Sequence, residues 1–422
     1  MNIRVGLIAF LGFLLMAGST PAWAADIEEL ERRIDMMSDE LDNMKLRGGG
    51  AEAHDRVSVH GYGELHYNNF TSTGDAEVDQ HRFVIGVHAL LTDWIHLNAE
   101  IDFEHAAQEM EFEFGYLDFL FNDKFNARGG VMLMPIGSLN EFHEPNLFWT
   151  VERPNLHSRM IPTTWSESGV GVFGNLMEGL NYRVYLTSSL QSIKAVAGGA
   201  GVDGCDQGRG HGSVNPGGKC GSFSSNGIRG GRRQADQAIA EDFAWSGRLE
   251  YSKLYPGLQL GFSFFTGDTT QGFISQGGRT TILEGDVKFR KNWFDMNATI
   301  INTEIADAKE MNDFCANHPG CGGGIAGRNF GWNAQAGIHL FQLLGMNTSH
   351  DLIPFFLFEQ YDLQLDMPSN ASKSLQRVID FYTLGIAYKP IPEVALKFDY
   401  MQALDARSRH TNQVNAGIAY MF

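Results

Sequence analysis

The chain has 422 residues, and its 50 acidic side chains against 32 basic ones give a formal net charge of −18. Such acidity argues against nucleic acid as a partner, because phosphate backbones are held by basic surfaces. After the first seventeen residues no run approaches the ~18 consecutive apolar residues that a membrane helix needs. A mean hydropathy of −0.20 does not exclude membrane strands, since half of such a strand faces water.

Arg4 precedes the apolar run Val5 to Ala17, and Ala22-Trp23-Ala24 has the small-x-small form of a cleavage site. Residues 1–24 therefore read as a secretory signal peptide cut after Ala24, and losing Arg4 makes the chain one unit more negative. In 25–47, Ile27, Leu30, Ile34, Met37, Leu41 and Met44 follow heptad spacing, with Ile, Ile and Leu at a and Leu, Met and Met at d. The expected coiled coil spans only ~27 Å, and Glu40 and Lys45 are placed to pair between helices. An amphipathic helix packed on its own domain is the alternative. Residues 48–56, opening with Gly48-Gly49-Gly50, read as a flexible linker.

From Arg56 the period changes to two. Val57, Val59, Leu65 and Tyr67 alternate with Ser58, His60, Glu64 and His66, and Ile95, Leu97, Ile101 and Phe103 alternate with His96, Asn98, Asp102 and Glu104. An apolar and a polar face over ten or more residues fit strands with lipid outside and water inside. About sixteen such runs occur, near 57–70, 80–91, 94–105, 110–122, 126–134, 166–176, 179–190, 242–253, 257–267, 279–290, 293–305, 329–340, 350–364, 375–389, 392–404 and 410–422. Short turns (92–93, 123–124, 177–178, 255–256, 291–292) alternate with longer loops (71–79, 135–165, 191–241, 268–278, 306–328, 365–374). One short rim and one long rim is the layout of an antiparallel transmembrane β-barrel over 57–422. Aromatics fall where belts belong: Trp94, Trp293 and Tyr255 near short turns, Trp165, Trp245 and Trp332 near long loops.

Loop 135–165 is long for a compact domain, which points to function. Pro145, Pro154 and Pro162 forbid a regular helix or central strand, and its charges suit a wet lining. The expectation is a loop folded inward to narrow the pore, with Glu141, His143, Glu144, Glu152, Arg153 and Arg159 at the constriction. Lumen-phase charges are Glu64, Arg82, Glu100, Asp102, Glu104, Arg183, Arg248, Glu250, Glu284, Asp286, Lys288, Arg290, Lys397 and Asp399. Rings of charge set ion preference, although cross-strand pairing in the wall is the commoner use of such residues. His60, His66, His88, His96 and His339 share the lumen phase without diagnostic ligand spacing, so no metal site is expected.

Cys205 and Cys220 fall in one long loop and Cys315 and Cys321 in another, which reads as two local disulfides in an oxidising compartment. No Cys-x-x-Cys-His occurs, which argues against attached haem, and no cofactor is expected. Neither a Gly-x-Ser-x-Gly elbow nor a Ser/His/Asp set is apparent, so no enzyme is expected. Loop 191–241 carries Lys194, Arg209, Lys219, Arg229, Arg232 and Arg233. It reads either as a basic vestibule steering anions or as a solvated loop on lipopolysaccharide phosphates.

The leader, the strand count and the terminal Tyr420-Met421-Phe422 resemble Gram-negative outer-membrane porins. The block Met134-Pro135-Ile136-Gly137, Arg153-Pro154 and Ser168-Gly169-Val170-Gly171-Val172-Phe173-Gly174 is similar to the phosphate-selective porin family. The resemblance implies a homotrimer in the outer membrane, in contact with lipid and lipopolysaccharide, whose last aromatic, Phe422, is read by the barrel-assembly machinery. It further implies passive diffusion of small hydrophilic solutes or ions, with an oxyanion-selective channel as the alternative. That family's lumenal arginine ladder is not apparent here, and the lumen-phase residues are as often acidic. A tether to the cell wall is the remaining alternative, for which the helix is short. Deleting 26–47 should leave folded barrels whose trimers dissociate more readily on unheated gels; unchanged trimer stability would count against the coiled coil.

Overall fold

The computed structural model describes residues 56–71, 73–162, 164–194, 222–236, 238–318, 321–407 and 410–422. The leader, the heptad segment, residues 48–55 of the linker, Cys205 and Cys220 lie outside the described residues. The alternation becomes sixteen strands: β1 (Val57–Phe70), β2 (Asp75–Leu90), β3 (Ile95–Glu104), β4 (Glu109–Asn122), β5 (Phe125–Leu133), β6 (Ser166–Met177), β7 (Leu180–Ser188) and β8 (Phe243–Tyr251), then β9 (Leu258–Gly267), β10 (Thr280–Lys291), β11 (Phe294–Ile305), β12 (Arg328–Ile338), β13 (Asp351–Asp366), β14 (Val378–Ile391), β15 (Val394–Asp405) and β16 (His410–Met421). Each pairs antiparallel with its sequence neighbours, and β16 returns to β1 to close the barrel. At that seam the Phe422 N–H donates to Gly61 O at 2.8 Å and the Gly61 N–H to Phe422 O at 3.0 Å. Closure leaves no edge with unpaired backbone groups, as a bilayer requires.

The two faces separate as the alternation demands. Val59, Val78, Ile85, Ile101, Phe112, Val170, Phe262 and Leu384 are exposed on the outside, while Glu64, Asn68, Glu100, Asp102, Arg248 and Asp399 are buried on the inside. Trp94, Trp293 and Tyr255 are exposed at the short-turn rim and Trp245 at the other. Trp165 differs from its expected place in a belt: it is fully buried inside the barrel, stacked at a tilt on Phe265 with centroids 5.0 Å apart.

Register shifts occur at several strand pairs, and two of them, in β2 and β4, bear on the site. Glu64 pairs with Arg82 while Leu65 pairs with Gln80, so His81 is an extra residue in β2. Glu100 pairs with Phe114 while Ile101 pairs with Phe112, so Glu113 is extra in β4. A bulge of this kind re-aims one side chain and shifts the phase beyond it. β2 also begins at Asp75, so the connection expected over 71–79 is only 71–74. Its polar start, Asp75 to Gln80, hides a strand from hydropathy, but it pairs with the equally polar end of β1.

The long-loop rim is lopsided. Connections 71–74, 105–108 and 406–409 are short, whereas 134–165, 189–242, 268–279, 306–327 and 367–377 all fall between β5 and β14. Inward residues of that half (Phe265, Ile282, Ile301, Ile305, Tyr361, Leu363 and Phe381) are apolar and join loop residues in one buried cluster. Met311 and Cys315 of helix α2 (Ala308–Asn317) belong to it, and Cys315 is disulfide-bonded to Cys321. Helix α1 (Asn155–Arg159) and the four-residue helix α3 (Leu340–Leu343) complete the helices of four or more residues among the described residues.

The outward phase of β3 makes a direct test. Ile101→Arg places a charge on the lipid face and should destabilise the barrel by ~2–4 kcal/mol near mid-membrane, measured by urea unfolding in lipid. Asp102→Asn, on the lumen face of the same strand, should fold. Equal behaviour of the two would show the phase to be wrong.

Candidate functional site

The segment joining β5 to β6 turns into the barrel instead of lying outside it. Asn140 ties its ends together, donating to Met134 O at 2.8 Å and Trp165 O at 2.9 Å and accepting from the Trp165 N–H at 2.9 Å. Gly137 adopts φ +72°, open to glycine at little cost, and its N–H donates to Ser263 Oγ at 3.2 Å. Pro145 opens a short 3₁₀ turn and Pro154 directly precedes α1, so the prolines start short helical turns where none was expected. The lining is not uniformly wet: Met134, Ile136, Leu156, Met160, Ile161 and Trp165 are buried in the apolar cluster that fills the β8–β14 half. The described ends of the next loop, 189–194 and 222–236, also tuck inward through Leu190, Ile193, Phe223 and Ile228, whereas a solvated loop was one expectation there.

The far side of the loop is held to the wall by charge. The Val151 N–H donates to Asp399 Oδ2 at 2.7 Å, and the Asn155 and Leu156 N–H groups donate to the Glu359 carboxylate at 3.1 and 2.8 Å. Lys397 Nζ donates to Pro145 O and Thr150 O at 2.5 and 2.9 Å, and Lys389 Nζ to Asn146 O at 2.7 Å. Glu152 accepts from Asn68 at 2.8 Å and lies 3.1 Å from His66 Nδ1. Arg82 bridges wall and loop, donating to Glu64 at 2.6 Å and to His143 O at 2.9 Å. His143 Nε2 lies 2.8 Å from the Tyr62 hydroxyl and 3.1 Å from Glu113. Trp149 covers Gly337, where a Cβ would stand 2.6 Å from its ring. The loop thus touches strands on every side of the lumen. Removing one partner of such a buried charged contact costs about 3–5 kcal/mol, because the other charge is stranded.

The remaining expected residues divide. Glu141 pairs with Arg183 at 3.0 Å, and Arg183 with Glu250 at 2.7 Å. Arg248 is surrounded by Glu250, Glu284 and Asp286 at 3.0, 3.3 and 2.7 Å, and Glu100 sits 3.2 Å from His60. These pairings run within one strand, between adjacent strands, across an intervening strand as from β8 to β10 and β1 to β3, or, for Glu141, to the loop root. Asp102 is buried on the lumen face, and Lys288 and Arg290 lie half-buried opposite Asn297 and Asp295. Glu144 is half-buried, its carbonyl accepting from Leu147 N–H at 2.9 Å. Arg159 is exposed, within electrostatic reach of Tyr361 on β13 and of Arg229 in the next loop. Sequence reasoning missed Glu113, hidden by its bulge, and Glu359, whose partners are 203 and 204 residues distant. It placed Lys397 and Asp399 in the lumen without seeing that they grip the loop.

Two oppositely charged groups stand at the long-loop rim. Glu104, Glu109 and Glu111 each place a carboxylate oxygen within 4.8 Å of the others. Arg229 stands near Arg159 of the inward loop and repels Arg232 of its own loop; burial and then Arg229 hold Arg232 down to about 10. A small recess lies between the loop and the β13–β16 wall, lined by Glu152, Arg153, Asn155, Glu359, Asp399 and Asn415. Burial and then Arg82 lower Arg153 to about 10, and burial raises the Glu141 carboxyl.

No family model matches the chain. An uncharacterized protein of Aquifex aeolicus (strain VF5) is 29% identical over 380 residues, covering 87% of this chain and 80% of that protein. Among solved structures, an anion-selective porin from Comamonas acidovorans is similar with a TM-score of 0.53 at 12% identity, over 87% of this chain and 99% of that one. The outer membrane channel DcaP of Acinetobacter baumannii is similar with a TM-score of 0.54 at 11% identity, over 89% and 99%. OmpF of Salmonella typhi, solved with daunomycin, gives 0.51 at 10% identity, over 87% and 97%. The likeness is one of fold.

His157 supplies a pH test. Burial pushes it down to about 3 from an ordinary 6.5, so between those values the unfolded state binds more protons. Stability is then complete above about 6.5 and is lost as pH falls toward 3, by several kcal/mol at most. Lowering pH from 7 to 4 should make the loop cleavable by an acid protease, and His157→Gln should flatten that dependence. An unchanged pH profile in the variant would remove His157 as the cause.

Proposed function

We propose that this chain is an outer-membrane porin, a channel for passive diffusion of small hydrophilic solutes and ions, narrowed by residues 134–165. The observation that carries the reading is the loop itself. It crosses the interior of a closed sixteen-strand barrel and is bonded to the wall through Asp399, Glu359, Lys397, Lys389 and His66. A stopper needs no fixed charges. A selective passage needs charges that stay put, and these side chains are held by several bonds each. In this reading the narrowest part lies among Glu152, Arg153 and the recess beside them. The chains associate as a homotrimer in contact with lipid and lipopolysaccharide, and the exposed Phe422 is the assembly signal.

The oxyanion-selective alternative rests on Arg159, Arg229 and Arg232, which gather from two loops at the rim, and on the anion-selective porin among the similar structures. The opposed Glu104, Glu109 and Glu111 argue for a weaker preference, because a passage between two signs admits either ion.

Conductance in planar bilayers tests both. Met134 to Ile136 and Leu156 to Trp165 belong to the core, so the deletion is confined to 144–153 and closed by a short glycine linker. It should raise conductance several-fold while heat-modifiable gel mobility stays that of a folded barrel; unchanged conductance would sink the constriction. Arg159→Glu with Arg229→Glu should move the reversal potential toward cations, and no movement would remove the arginines from the permeation path.

A further inference from the structure

Asp79, His81 and His105 converge at the long-loop rim on the side where the connections are short. His105 Nδ1 lies 2.8 Å from Asp79 Oδ2 and His81 Nδ1 lies 3.3 Å from the same oxygen. One donor atom from each of the three residues falls within 4.8 Å of the others. None of the three is closed off: their side chains are 25%, 36% and 43% exposed. We propose that these residues form a binding site for a borderline divalent transition-metal cation of the zinc type, independent of whether the barrel conducts.

The backbone supports a built site. His81 is the extra residue of the β2 bulge, and without the bulge its ring would follow the alternation out of the lumen. Instead it stacks on the lumenal His66, with centroids 4.7 Å apart and an angle of 14°. His105 opens a run of three non-glycine residues with positive φ: His105 at 51°, Ala106 at 55° and Ala107 at 68°. Left-handed backbone in alanine is unfavourable and persists only where the surroundings enforce it, commonly at functional sites. Two independent irregularities thus aim two imidazoles at one carboxylate.

The chemistry fits a nitrogen-preferring ion. Zinc takes imidazole nitrogen at about 2.0–2.1 Å and carboxylate oxygen at about 2.0–2.2 Å, which puts neighbouring donors roughly 3.3 Å apart. The contacts to Asp79 already have that scale. Without metal, the two Nδ1–H groups donate to Asp79. With metal, each ring carries its proton on Nε2 and turns the Nδ1 lone pair inward, and water completes the coordination. His66 lies behind His81 and is held by Glu64 at 2.9 Å and Glu152 at 3.1 Å, which fixes the surface on which the His81 ring rests. By contrast, the convergent group Glu100, Glu113 and His143 is buried and committed to Tyr62 and the loop. Calcium and magnesium prefer all-oxygen sites and are poor occupants here.

The test is calorimetric titration of zinc chloride into the untagged full chain, folded in detergent. The unsubstituted protein should bind zinc saturably at this site, and excess magnesium or calcium should not compete. Asp79→Asn, His81→Gln and His105→Asn should each weaken that binding at least tenfold; asparagine is chosen at 105 because it tolerates positive φ. His350→Gln, at the opposite rim, should leave it unchanged. Heat-modifiable mobility identifies any variant that has failed to fold, and Asp79→Asn, which keeps the shape, then decides. Absence of saturable zinc binding up to millimolar concentration would overturn the site, as would folded Asp79→Asn and His105→Asn proteins that bind like the original.

Discussion

The constraint beneath this structure is that a bilayer offers no partner to a backbone N–H or C=O. The chain answers by joining its last strand to its first, with Phe422 and Gly61 exchanging the final bonds. Closure creates an interior, and sixteen strands enclose more space than wall side chains can fill. Something else must occupy part of it. The apolar inward residues of β9 to β14 show what does: Phe265, Ile282, Ile301 and Phe381 are buried only because loops come in to cover them. The inward loop is therefore part of the core of one half and part of the lining of the other. Its two faces differ in kind, Leu156 and Trp165 on one and Glu152 and Arg153 on the other.

Charge follows from the same geometry. Groups such as Arg248, Glu284 and Glu359 stand inside the barrel with little contact to solvent, and each must be paired or hydrogen-bonded to be tolerated. Arg248 meets this with three carboxylates. Glu359 and Asp399 meet it with backbone N–H groups of the loop, so satisfying the wall also places the loop. Wall and loop depend on one another: removing either leaves buried polar groups without partners.

Much of this was legible in order of sequence range. Period two is a local signal, so the opposite faces of Ile101 and Asp102 and most strand limits fall within a few residues of expectation. The position of the inward segment between β5 and β6 was also readable, because a proline-punctuated stretch cannot be strand. Three kinds of feature were not. A bulge is invisible to strict alternation, and therefore neither Glu113 nor His81 was assigned to the lumen. Contacts such as Val151 with Asp399 join positions 248 apart, and nothing local encodes them. An apolar residue on the inner face, Phe265 or Trp165, looks the same in sequence as one facing lipid.

The rim asymmetry ties these threads together. Long connections all lie between β5 and β14 and bring apolar cover with them, whereas β15, β16 and β1 to β4 have short connections and a polar inner face. The bulges at His81 and Glu113 lie on that side, and a further irregularity lies in β13 near Asp362–Asp366. The rim carboxylates Glu104, Glu109 and Glu111 are also on the side of short connections, facing the arginines that the loops present from across the opening. On this side the wall meets the inward loop through polar contacts, Arg82 and Glu113 with His143 and His66 with Glu152. Buried charge lines both halves, Arg248 with Glu284 and Asp286 on the covered side and Arg82 with Glu64 on the other, so each half satisfies its own groups by pairing.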